Sequence, residues 1–205
     1  MSYWDHPKPV RRERAVDIAA AARACVALLD DGGLRALTLR SVATRLGVAP
    51  ASLYSRVDSV DDLFDLALDT AFGDDPHMNR AIAEADVEEV MLAYYRHLVR
   101  HRWACQVIAM RAPRGPNYLR LSERICELLI ATGAADPLST AYALSSFVIG
   151  SAATAPAAGH EPRTPVDLAI APTYARLHAQ HHQTTAERIV AASLAALKAD
   201  AAHAR

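Results

Sequence analysis

Gly47 and Pro50 split the stretch Thr38–Val57, TLRSVATRLGVAPASLYSRV, into two short helical segments with almost no chain between them. Thr38 can cap the first, its hydroxyl accepting one of the N–H groups left unpaired at a helix start. Leu39, Val42, Ala43 and Leu46 then recur at helical spacing. Gly47 ends that helix, because the residue just past a helix commonly needs a positive φ. Pro50 fits the first turn of the next, where its missing N–H costs nothing, and Leu53 and Val57, four apart, turn inward. Two helices joined so tightly cross steeply, so Pro50, Ala51, Ser52, Tyr54, Ser55 and Arg56 are left on the outer face of the second. Small, hydroxyl-bearing, aromatic and guanidinium groups are what base edges and phosphates pair with. The stretch therefore reads as a helix-turn-helix presented to double-stranded DNA. A surface hairpin of helices within a larger bundle would share the spacing.

What surrounds this unit is helical as well. The chain has 205 residues, 52% hydrophobic with much alanine and eight glycines, which favours helix over sheet. The fold class expected is all-α: a three-helix DNA-binding head, residues 10–58, a fourth helix as connector, 59–73, and a helical body, 74–205, with about nine to ten helices in total. Net charge is −1, but residues 1–58 hold nine Lys/Arg against six Asp/Glu, so a basic head sits on an acidic body. Cys25, Cys105 and Cys126 form no C-x-x-C pair. Buried free thiols in a reducing cytoplasm are expected, and neither a disulfide framework nor a zinc site. No apolar run of about 18 residues stands out, and the start, MSYWDHPKPVRRERA, lacks the apolar segment of a secretory signal, so no membrane partner is expected.

Residues 1 to about 10, polar and with two prolines, read as a mobile arm. Arg11, Arg12 and Arg14 follow it and could reach phosphates or a minor groove; a solvated helix start would look the same. Helix 1 presents Ala15, Ile18, Ala19, Ala22, Val26 and Leu29 and stops at Asp31-Gly32-Gly33. After the central unit, Ser59 with Asp62 makes a capping-box-like start for the connector, with Leu63, Phe64, Ala67 and Ala71 inward. Asp61, Asp62, Asp65 and Asp69 give it an acidic face, expected to be solvated.

Residues 14–72 resemble the amino-terminal domain of the tetracycline-repressor family of bacterial regulators. The resemblance is carried by Gly32-Gly33, Thr38, Val42-Ala43, Leu46-Gly47-Val48, Leu53-Tyr54 and Asp61-Asp62-Leu63, in order and at matching spacing. It implies a DNA-binding homodimer, usually a repressor, released from its operator by a small molecule. Position by position it implies that Thr38 and Tyr54 contact phosphates and that Arg40, Ala51, Ser52 and Ser55 face the bases. Arg56 takes a place near the backbone where the family often has histidine. Two positions depart from the pattern: Ala49 where a Ser or Thr cap is common, and Val60 where a lysine is usually directed at phosphate.

The body, from Val87 on, reads as helices at 87–98, 103–110, 117–132, 137–157 and 184–201, with HRWACQVIAMRAPRGPNYLRL resembling the ligand-sensing half of the same family. Residues 158–183, with three prolines, read as an irregular connection carrying a helical turn near 174–179. Tyr94, Tyr95, Trp103, Met110, Asn117, Leu121, Tyr142 and Phe147 lie on faces that should converge inside the body. They are the candidates for lining an effector pocket, since such pockets are apolar with a few placed polar groups. The last two long helices are apolar or small nearly all round, as in Ala141, Ser145, Gly150 and Ala153 or Ile189, Val190, Leu194 and Leu197. A helix of that kind needs cover on every side, so a two-fold four-helix contact with a second copy is expected. His178, His181 and His182 could meet on a metal if helical, though a polar connection more simply solvates them.

No G-x-S-x-G, phosphate-binding glycine loop or H-E-x-x-H is present. No catalytic residue, metal or cofactor is assigned, and the expected activity is ligand-responsive DNA binding, not catalysis. The alternative is an all-helical ligand-binding protein or enzyme whose DNA-reading head has decayed, for which Ala49 and Val60 are the hints.

Overall fold

The computed structural model describes residues 2–5, 16–158, 160, 164–180 and 185–203, with side chains as far as residue 196 in the last helix. The described residues form eleven α-helices and no strand: α1 Ile18–Gly32, α2 Leu39–Leu46, α3 Pro50–Leu53, α4 Val60–Gly73, α5 Pro76–Glu84, α6 Val87–Arg100, α7 Arg102–Met110, α8 Pro116–Ala131, α9 Pro137–Ala158, α10 Pro172–Gln180 and α11 Ala186–His203. Helices α1 to α3 make the head, with α1 packed on α2 and on α4. The hydrophobic core then runs without a break from Ala22, Leu29, Val42 and Leu53 through Leu63, Ala67 and Phe72 into Met91, Leu98, Leu121 and Val148.

Local chemistry sets most helix ends. Thr38 and Ser41 close a reciprocal capping box on α2, and Gly47 ends that helix at φ 67°, ψ 30°. Asp17, Ser59, Asp75 and Asp86 accept N–H groups at the starts of α1, α4, α5 and α6. α5 is absent from the sequence reading, which ended the connector at Gly73-Asp74-Asp75-Pro76 and resumed at Val87. Its signals were the Asp75 cap with proline at the first helical position and the period of Met78, Ala81, Ile82 and Ala85.

Of the acidic face of α4 only Asp61 is exposed. Asp62, Asp65 and Asp69 are buried, each carboxylate satisfied by hydrogen-bond donors of the chain itself. Asp62 accepts the Asp58 N–H at 2.6 Å. Asp65 takes a two-pronged bond from Arg111, Nε to Oδ1 at 2.9 Å and a terminal N–H to Oδ2 at 3.1 Å. Asp69 caps α8 from outside, accepting the N–H groups of Asn117 and Tyr118 at 2.8 and 3.0 Å. Charge periodicity showed the carboxylates but not the partners of Asp65 and Asp69, 46 or more residues away in sequence. The start of the chain also differs from a mobile arm: Ser2–Asp5 lie against α4, with the Tyr3 N–H donating to Asp65 at 2.9 Å. Arg11, Arg12 and Arg14 lie outside the described residues, as do His181 and His182. His178 sits on α10 with its ring 5.6 Å from that of Tyr174.

α9 is 22 residues long and, at a mean hydropathy of 1.2, long and apolar enough to cross a membrane by length and composition. Its serines, threonines and glycine hid this from a search for an unbroken apolar run. Ala141, Leu144, Val148 and Ala152, on one face, are nonetheless buried among α6, α7, α8 and α11.

Candidate nucleic-acid interface and sensing body

The turn of the head does what its residues dictate. Leu53 and Val57 are fully buried, anchoring the short α3 and the turn after it. Thr38, Arg40, Pro50, Ala51, Ser52, Tyr54 and Ser55 are all exposed on one side. Tyr54 keeps 54% of its surface free, an unusual exposure for an aromatic ring on so well-anchored a turn. Two of the hydroxyls are already engaged: Thr38 Oγ1 accepts the Ser41 N–H at 2.9 Å, and Ser55 Oγ donates to Ser52 O at 2.6 Å. Each keeps acceptor capacity, and both bonds fix the direction in which the oxygen points. Arg56 is half-buried, with Nε enclosed and without a hydrogen-bond partner. Ala49 gives α3 no side-chain cap, though its carbonyl accepts the Ser52 N–H at 2.9 Å, and Val60 packs partly against the core at the start of α4.

Among the eight residues expected to line a pocket, Tyr94, Tyr95, Trp103 and Leu121 are buried, and Phe147 and Asn117 half-buried. Met110 and Tyr142 do not face the interior: they are 57% and 67% exposed. Met110 is the last residue of α7, and Tyr142 lies off the buried face of α9. Tyr94 OH meets Tyr118 OH at 3.0 Å, and both rings pack on Phe72, at 5.7 and 5.2 Å between centroids. His97 joins them, stacked 4.1 Å from Phe72. Phe72, Tyr118 and His97 were missed by the sequence reading. Tyr118 adjoins Asn117 in the first turn of α8 and His97 follows Tyr94 by three residues, so helical spacing from residues already chosen could have found both.

Three joints tie the head and connector to the body. One is Asp65 with Arg111, and a second is Asp69 with the start of α8, where Asn117 also donates its side-chain N–H to Asp69 at 3.0 Å. The third runs directly from α1: Asp30 Oδ1 accepts the Trp103 indole N–H at 2.7 Å and faces His101 Nδ1 at 2.7 Å. Trp103 and Asn117, offered as pocket residues, thus have their polar groups committed to these joints. Next to them, Asp75 caps α5 and meets buried His97 Nδ1 and Arg100, each at 2.9 Å. Burial would raise the Asp75 carboxyl, but the His97 and Met78 hydrogen bonds and the charge of Arg100 hold it well below the usual carboxylate range. Burial pushes the His97 imidazole down, against the raising effect of its bond to Asp75. Nδ1 therefore carries the proton donated to Asp75. Burial alone lifts the Cys25 thiol to about 12, so it is chemically quiet.

Comparison with known proteins adds an independent finding. A family profile described as "Tetracyclin repressor-like, C-terminal domain" matches residues 76–198. An HTH-type transcriptional regulator of Saccharopolyspora erythraea is 39% identical over 132 residues, covering 62% of this chain and 56% of that one. The HTH-type transcriptional repressor DrrR1 of Streptomyces coeruleorubidus is 32% identical over 157 residues, covering 71% and 54%. The chain thus spans about half the length of the curated relatives it matches. In three dimensions it is similar to the TetR family protein ActR of Streptomyces coelicolor, solved in complex with (S)-DNPA. The TM-score is 0.69 at 25% identity, with 92% of this chain and 98% of that one covered.

Proposed function

The chain belongs to the tetracycline-repressor family, and from that premise we propose that it is a ligand-responsive repressor that binds operator DNA as a homodimer. The observation that carries this reading is the exposed face of the head. Arg40, Pro50, Ala51, Ser52, Tyr54 and Ser55 stand clear on one side while Leu53 and Val57 are fully buried beneath. Arg40, Ala51, Ser52 and Ser55 read base edges; Thr38, Tyr54 and Arg56 hold phosphates, and Arg11, Arg12 and Arg14 add basic charge to the sequence of the head. The relative DrrR1, named a repressor, supports repression, and ActR, solved with (S)-DNPA, supports a small-molecule effector.

The dimer forms through α9 and α11. Tyr142, Ala143, Ser146, Gly150 and Ala153 on α9 and Ile189, Ala192, Ala195 and Ala196 on α11 are exposed, an apolar and small-residue surface that a second copy would cover. The effector releases DNA by favouring a state in which the two heads no longer match successive major grooves, about 34 Å apart. The joints at Asp30, Asp65 and Asp69 are where a shift of α7 or α8 would be passed to α1 and α4. Footprinting on the DNA upstream of the gene, with random DNA as competitor, tests the reading. Protection of two half-sites about one helical turn apart is expected; equal binding to both DNAs would overturn it.

A further inference from the structure

A cleft of about 670 Å³ runs along the α5–α6 hairpin. That volume falls in the range of small-molecule sites. The hairpin runs antiparallel. Ala85 and Asp86 alone link the two helices, and Asp75, at the start of α5, is bonded to His97 and Arg100 at the end of α6. This geometry sorts the lining by charge. Glu84, Ala85 and Glu89 lie at the link end; Ala81, Leu92 and Ala93 line the middle, with Arg80 beside Ala81; His77, Arg96 and Arg100 stand toward the other end.

Not every charge in it is available. Asp75 is buried and accepts from His97, Arg100 and the N–H groups of His77 and Met78, so it contributes little free negative charge to the basic end. Arg96 is paired with Glu187 of α11, Nε to Oε1 at 2.8 Å. The three arginines of this end still outnumber their two carboxylate partners, and Arg80 is exposed. At the opposite end Glu84 and Glu89 face the cleft, with Arg80 one helical turn from Glu84 and its Cα–Cβ bond tilted back toward the start of α5, the basic end. Along α6 the acidic position 89 and the basic positions 96 and 100 are separated by about 10 to 16 Å at 1.5 Å per residue.

We propose that this cleft binds an elongated zwitterion. It holds an ammonium group at Glu84 and Glu89, an apolar middle over Ala81, Leu92 and Ala93, and a carboxylate or phosphate at Arg80 and Arg96. A planar anion suits the guanidinium forks, and a compact ammonium suits the two carboxylates. The apolar stretch is floored by small side chains, which leaves room for a chain lying lengthwise. The site is separate from the ring cluster around Tyr94 and shares Asp75 with the end of α4. Its possible part in releasing DNA rests on the regulator reading above, whereas the binding itself does not.

Calorimetric titration with 12-aminododecanoic acid, dodecanoic acid and dodecylamine, all below their aggregation concentrations, tests the proposal. The amino acid should bind about tenfold more tightly than either singly charged chain, one well-placed charge contact being worth about that factor. Arg80→Gln should erase its advantage over dodecylamine, and Glu89→Gln its advantage over dodecanoic acid. Both residues are exposed, and unchanged melting temperatures would show that the fold is intact. Equal binding of all three probes, absence of binding, or an advantage that survives both substitutions would overturn the proposal. Operator binding is read in parallel: the amino acid binding as expected while the DNA complex persists would support the cleft and overturn only its effector role.

Discussion

At the scale of single residues, the proposed DNA face assigns holding and reading to different side chains. Tyr54→Phe removes the hydroxyl assigned to phosphate and should weaken binding about equally on operator and random DNA. Arg40→Ala should cost roughly 1–3 kcal/mol on the operator and little elsewhere if Arg40 meets a base edge. Parallel titrations on the two DNAs decide it, an equal loss on both being incompatible with base reading. The Asp75–His97 pair makes a prediction about acid. Asp75, held low in the folded state, lends stability that is complete at neutral pH and lost as the pH falls through its lowered value. His97, also held low, begins to count against the fold once the pH drops below about 6.5, where the unfolded chain takes up a proton that the buried ring resists. Urea unfolding from about pH 8 to about pH 4 should show stability declining toward acid, and His97→Phe should flatten the upper part of that decline. A wild-type profile level across this range would contradict the His97 assignment, the loss from Asp75 being expected only below about pH 4.

At the scale of elements, α4 is the clearest case of what a sequence does and does not disclose. Its apolar face, Leu63, Phe64, Ala67 and Ala71, was legible because burial follows helical period, and all four are buried. Its acidic face was misread because a carboxylate looks the same in sequence whether water or Arg111 satisfies it. The caps of α2 and the break at Gly47 were legible for the opposite reason: their partners are three or four residues away. α5 escaped because its nine residues are short for a periodic signal. Two substitutions test the joints. Arg111→Ala leaves Asp65 buried without its guanidinium and should lower stability by about 2–3 kcal/mol in denaturant titration. An effect below about 0.5 kcal/mol, the size of an ordinary surface change, would show that the pair carries no load. Gly115→Ala is a steric test: a Cβ there would run into the Asp69 side chain that caps α8. The variant should melt lower than wild type, and the Asn117 and Tyr118 amides should exchange faster with solvent; unchanged exchange would mean that Asp69 is not the cap.

At the scale of the molecule, the composition of α9 and α11 suggests the proposed four-helix contact in kind but not in register. All-round apolar composition announced that α11 needed cover on two sides, yet it could not say which residues face which way. Leu194 is only 2% exposed and packs with Val190 into its own subunit, so a charge there would unfold the chain and say nothing of a dimer. Leu197 lies beyond the described side chains. The informative position is Ile189, 43% exposed. Ile189→Glu should leave the melting curve of the separated subunit intact while sedimentation shows monomers, because an unpaired charge would be buried only on association. A wild-type chain that sediments as a monomer at micromolar concentration would rule out the contact itself.

The joint between Asp30 and Trp103 has an optical side. The chain has two tryptophans, and neither sits on the DNA face or on the exposed faces of α9 and α11. Trp103 donates its indole N–H across the seam between α1 and α7, and Trp4 packs beside Tyr3 against α4. Tryptophan emission from the unlabelled protein therefore originates at the α1–α7 seam and on the connector α4. A colourless effector that loosens this seam would change the emission before any DNA is added, whereas operator binding that leaves the seam closed would be optically silent.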